Sequence, residues 1–146
     1  MKKFFLFCLM ALTCTTTFIA CGDDDDDPIL DGTENIDAQV TKAEMKDNGN
    51  QLILTYVMRI STYQATIKWI CNFDNDQICT SSTEEWTWPN EQIAKSDEEE
   101  SKAQGENVKR NGKTVIHDVS DQYAGTEKNV IKEQMEMMLS VYKNDK

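Results

Sequence analysis

Leu52-Ile53-Leu54-Thr55-Tyr56-Val57-Met58-Arg59-Ile60, then Ser61-Thr62, then Tyr63-Gln64-Ala65-Thr66-Ile67-Lys68-Trp69-Ile70-Cys71-Asn72-Phe73 is the stretch that decides the fold. Leu52, Leu54, Tyr56, Met58 and Ile60 alternate along one run, and Tyr63, Ala65, Ile67, Trp69, Cys71 and Phe73 along the next, the period of a half-buried strand. A tight connection at Ser61-Thr62 pairs Ile60 with Tyr63, Met58 with Ala65, Tyr56 with Ile67, Leu54 with Trp69 and Leu52 with Cys71. All five pairs then fall on one face, and a slip of one residue destroys that agreement.

Working outward, Asp74-Asn75-Asp76 predicts a second turn, because these residues tolerate left-handed backbone and bond their own chain. A three-residue loop there sets Phe73 opposite Gln77 and Cys71 opposite Cys79, within adjustment of disulfide distance. Closing nine residues would contribute about 2.6 kcal/mol in the chain-entropy account. The same register sends Trp86 and Trp88 away from the face that carries Trp69. A bulge near Ser81-Ser82 returns them to it, as does a two-residue turn that separates the cysteines. The expectation is a Cys71–Cys79 disulfide with a bulge.

Before this meander, Asn48-Gly49-Asn50 marks a turn, and residues 38–47 read as a first strand or a helical turn. After it, Pro89 ends a strand and can open a helix. Residues 90–104 are helical in composition but hold only Ile93, Ala94 and Ala103 as apolar residues, and Asp97 to Glu100 read as a solvated face. Val108 to Ile116, centred on Asn111-Gly112, signals a type I′ hairpin. Ile131, Met135, Met138 and Tyr142 form the apolar stripe of a last helix. Strands followed by helices, without regular alternation, predict an α+β fold: an antiparallel sheet of four to five strands, the C-terminal helix on one face and a second, weaker helix.

The N-terminus carries an address. Lys2 and Lys3, the apolar residues 4–12 and small residues before Cys21 have the three parts of a secretory signal, and the apolar core is far shorter than the roughly 20 residues of a spanning helix. Phe18-Ile19-Ala20-Cys21 resembles the lipobox of bacterial lipoproteins, and Asp23 to Asp27 resembles the surface-export run of Bacteroidota lipoproteins. The resemblance implies cleavage before Cys21, acylation of its thiol and display on the outer membrane; a periplasm-facing domain with the aspartates as a spacer is the alternative. It covers residues 1–27 and implies no fold or activity. The whole pattern is similar to small Bacteroidota lipoproteins. The expected organisation is a signal peptide over 1–20, a lipidated acidic tether over 21–37 and one domain over 38–146.

Removing residues 1–20 takes two of the 15 basic residues and none of the 26 acidic ones, leaving a net charge of −13. Such a surface repels nucleic acid. Of five cysteines, Cys8 and Cys14 leave with the signal and Cys21 is lipidated, so Cys71 and Cys79 remain. They make no metal site at C-x7-C spacing with His117 as the chain's one histidine. His117 alternates with Val115 and Val119 on a strand and has no recognisable nucleophile beside it; Asp118 and Asp121 at its side, and Asp74-Asn75-Asp76-Gln77 with its faint likeness to a calcium loop, are weak metal signals. No phosphate-cradling loop, nucleophile elbow or zinc-protease helix occurs, and no cofactor is implied. Trp86 and Trp88 are the candidate ligand contacts, since alternating tryptophans at a strand end can stack on a sugar ring; core packing is their ordinary use. The expected function is a non-enzymatic binding module anchored to the membrane by lipid, with a glycan or protein ligand. The alternatives are an enzyme acting on an extracellular polymer through carboxylates or His117, and an envelope structural or inhibitory protein.

Overall fold

Six antiparallel strands form one sheet in the order β1-β2-β3-β4-β6-β5 in this computed structural model, which describes residues 38–60 and 62–144. The signal peptide expected over 1–20, the lipidation site Cys21 and the tether over 21–37 lie outside the described residues, as does Ser61 of the first connection. The strands are β1 (Ala38–Asp47), β2 (Gln51–Ile60), β3 (Tyr63–Phe73), β4 (Cys79–Thr87), β5 (Val108–Asn111) and β6 (Thr114–Asp118). The helices are α1 (Glu91–Ala103), α2 (Ser120–Tyr123) and α3 (Lys128–Asn144). The α+β class holds, with β1 adding a strand to the expected sheet and α2 a short helix.

The β2–β3 hairpin has the register that the alternation dictates. Leu52 faces Cys71, Leu54 faces Trp69, Tyr56 faces Ile67, Met58 faces Ala65 and Ile60 faces Tyr63. From Leu52 to Met58 and from Ala65 to Phe73 these alternate residues are buried, and they meet Ile131, Met135 and Met138 of α3 in one core. Burying each such side chain contributes about 1.5–3 kcal/mol, so this shared face is the main source of stability. β1 extends the sheet at β2, with a bulge between Val40 and Lys42. The bulge and the lysines on this outer strand discourage edge-to-edge pairing.

The second turn corrects the expected register. Asp74 Oδ1 accepts the amides of Asp76 at 3.0 Å and Ile78 at 2.8 Å, and Gln77 adopts φ 62°. The loop therefore runs to Ile78, and Phe73 faces Cys79 rather than Gln77. Asn72 then faces Ser81 and Cys71 faces Ser82, so Thr80 is an extra residue on β4. The bulge falls just before the expected place and does what a bulge there must do: Ser82, Glu84 and Trp86 return to the core face.

The Asn111-Gly112 hairpin forms, shifted by one residue. Asn111 pairs with Thr114, leaving Gly112 and Lys113 as the loop. Gly112 has φ 57° and Lys113 no positive angle, the pattern of a type II′ turn, where glycine takes the first central position. Its outgoing strand β6 pairs with β4, which sets Glu84 opposite His117 and Trp86 opposite Val115. A small second core of Ala94, Val108 and Val115 fills the space between α1 and the β5–β6 hairpin, and Trp88 packs against both cores. All three helices thus lie on the face that carries Trp69 and His117.

Candidate functional site

Titratable and aromatic side chains converge where β4, β6 and α1 meet. Alternation on β4 past the Thr80 bulge puts Glu84 and Trp86 on the covered face, and the β4–β6 register brings His117 beside Glu84. Asn90 accepts the amide of Ile93 at 3.0 Å and starts α1. The helix then lowers Ala94, Asp97 and Ser101, positions of one helical side, onto the sheet.

The contacts form a chain. Trp86 Nε1 donates to Glu84 Oε2 at 3.3 Å, and Trp88 Nε1 donates to Asp97 Oδ2 at 2.8 Å. His117 Nδ1 lies 3.1 Å from Glu106 Oε2, while Nε2 lies 3.8 Å from Asp97 Oδ2, an ion-pair distance too long for a hydrogen bond. The Trp86 and Trp88 rings stack with centroids 5.8 Å apart, and the Trp86 ring lies 6.2 Å from that of His117. Glu84 is 5 % exposed and His117 8 % exposed.

Burial pushes the Glu84 carboxyl up to about 7, against the opposing pull of the Trp86 N–H and the His117 charge. Burial alone would lower His117, but the carboxylates of Asp97 and Glu106 outweigh it and hold the imidazole above its ordinary value. Burial thus favours the neutral form of Glu84, while the neighbouring carboxylates favour the charged form of His117. Both groups are almost wholly covered.

The expected sites separate into different places. Trp86 and Trp88 do come together, but Trp86 is buried and Trp88 half-buried with its N–H given to Asp97, so the pair stacks on itself and packs the cores rather than offering an open platform. Cys71 and Cys79 lie elsewhere, in the main core that also holds Trp69 and Tyr123, as buried free thiols. The expected direct opposition gives way to a diagonal placement, because Thr80 displaces β4 by one residue, and the two cysteine side chains still interact with each other. The Cys71 thiol is in contact distance of Ser82 Oγ, at 3.3 Å, and burial pushes it up to about 12. The Asp118 carboxylate is turned to the opposite sheet face from His117, where it accepts from the Ser120 amide at 3.0 Å and from Asn107 Nδ2 at 3.1 Å. Asp74 spends its carboxylate on loop amides. Among the described residues no three His, Cys, Asp or Glu side chains are arranged to hold a metal ion.

Asp97 and Glu84 are the members that sequence reasoning missed. Within its acidic run Asp97 reads as solvated, although its spacing from Ala94 and Ser101 sets it on the buried side of the helix. Glu84 depended on the bulge. Lys102 and Arg110 instead meet the neighbouring Glu98, at 2.7 Å and 2.9 Å, on the outer side of the helix. No protein-family model, curated protein or solved structure matches this chain.

Proposed function

We propose that the chain is a lipid-anchored surface lipoprotein whose domain, residues 38–146, is a non-enzymatic binding module. The anchor and address rest on Phe18-Ile19-Ala20-Cys21 and Asp23 to Asp27. The binding role rests on one observation: the helices cover a single face of the sheet. On the other face Ile53 pairs with Ile70, and Ile70 neighbours Thr83; Val57 pairs with Thr66, and Ile116 with Glu85. This gives an aliphatic centre bordered by threonine and by the Lys68–Glu85 cross-strand pair, a composition suited to another protein's surface.

Four measurements test this reading. Lipid labelling should be lost in Cys21→Ser. Protease added to intact cells should degrade the domain; full protection would favour the periplasm-facing alternative. A photo-crosslinker at Ile70 should capture a constant protein partner in cells, and one at Glu133 on the exposed side of α3 should not. Capture by neither, or equally by both, would remove the binding role for this face, and retention on glycan beads would move it to a glycan ligand.

A second reading is an enzyme acting on an extracellular polymer, with Glu84 set opposite His117 across the β4–β6 pair; both are buried under α1, so it requires that helix to lift. Polymer cleavage lost in both Glu84→Gln and His117→Gln, with the fold retained, would choose it over a binding module.

A further inference from the structure

We propose that α1 is a pH-released latch, held to the sheet while His117 is protonated and freed as that proton leaves. The helix has little apolar attachment: of its buried residues only Ala94 is apolar, and the other two are Asp97 and Ser101. Its docking depends on polar links, Trp88 to Asp97, Arg110 to Glu98, and His117 to the carboxylates around it. The helix is bounded by Pro89 before its cap and by Gly105, at φ 79°, after it.

The imidazole is what makes the docking conditional. Each of its nitrogens faces an acceptor, Nδ1 the Glu106 carboxylate and Nε2 the Asp97 carboxylate. Only the doubly protonated ring presents N–H to both. Either neutral tautomer turns a lone pair toward a carboxylate, so loss of the proton converts an attraction across the α1–β6 contact into a repulsion. The groups around His117 are Glu84 from β4, Asp97 from α1 and Glu106 from the α1–β5 link; Val108 faces it from β5 and the Trp86 ring from β4. Arg110 of β5 is engaged by Glu98 and the Gly112 carbonyl. His117 thus places a titratable cation among these carboxylates. Glu84 acts in the same direction, because its ionisation adds a further buried negative charge. His117 supports docking fully below its ordinary value of 6.5 and loses that support as pH rises through its higher folded value; Glu84 loses its own between 4.5 and about 7.

Hydrogen exchange on the whole chain tests the latch. Between about pH 5.5 and 8.5, after correction for intrinsic rates, protection of the α1 amides should fall at least about tenfold while β3 amides keep theirs. Tryptophan emission should shift to the red over the same range as Trp88 loses its cover. The titration of the His117 ring, followed by NMR in the unaltered protein, should coincide with both changes. His117→Gln should leave α1 weakly protected at either pH, and Glu84→Gln should keep the transition. Protection of α1 that does not depend on pH, equal loss in α1 and β3, a ring titration displaced from the exchange transition, or a transition abolished by Glu84→Gln would each overturn the proposal.

Discussion

Trp88 donates its indole N–H to Asp97 over 2.8 Å, and this bond ties the end of β4 to the least apolar helix of the fold. The acceptor sits in a run of four acidic residues, yet it is the one that turns inward.

Asp97→Ala is expected to lower stability by about 1–3 kcal/mol, because a partly buried indole N–H loses its acceptor and His117 loses a carboxylate. Glu99→Ala, at an exposed position of the same helix, should change stability by less than about 0.5 kcal/mol. Urea unfolding of the two variants measures the difference.

Ser82 is fully buried and receives the Trp69 indole N–H at 2.9 Å. Ser82→Ala leaves that donor unpaired in the main core, at an expected cost of about 1–3 kcal/mol. Near-ultraviolet circular dichroism should remain native, since the Trp69 and Tyr123 rings, 4.8 Å apart, keep their packing.

Deleting Thr80 should be far more damaging than substituting it. Without the extra residue, either β4 turns Trp86 outward and Thr87 inward, or the loop at Asp74 must be rebuilt. Thr80→Ala, at an exposed position, should unfold within about 0.5 kcal/mol of the parent, whereas the deletion should lack a cooperative thermal transition.

The pH dependence of Glu84→Gln has a definite sign. The folded carboxyl titrates at about 7 against 4.5 for the ordinary group, so the parent loses stability as pH rises across that interval. Glutamine keeps an oxygen to accept from Trp86 and carries no charge. Relative to the parent, the variant should gain about 3 kcal/mol between pH 4 and pH 8.5, read from urea midpoints at the two pH values.

The thiols of Cys71 and Cys79 should resist alkylation at pH 8 in the folded protein and react fully in denaturant, because burial raises both above the ordinary thiol value. Their diagonal placement keeps them near each other, so a thiol oxidant should remove two hydrogens from the chain, seen by intact mass, and Cys79→Ser should prevent it.

Much of this architecture was legible in the sequence, and the limit has a physical cause. Leu52 to Phe73 declared both strands and their register, because alternation and pairing are two constraints that must agree. The stripe Ile131, Met135, Met138 placed α3 for a similar reason. The loop after Phe73 was not legible to the residue, since Asp74 can close a shorter turn as readily as the one in which it gathers the amides of Asp76 and Ile78. That ambiguity carried forward into the cysteine pairing and the surroundings of Glu84. The β4–β6 pairing, which brings Glu84 to His117 across 33 residues of chain, is announced by no local pattern.

The order of the elements has a consequence for how the chain acquires its structure. The meander β1 to β4 is assembled from neighbours in sequence, but its apolar face is roofed by α3, which is synthesised after every strand it covers. β4 likewise waits for β6 to occupy its free edge. A nascent chain that has reached Thr87 has four of the six strands and its oily side bare, so folding is deferred until the last helix arrives, and any fragment that stops before Ile131 should be sticky rather than native.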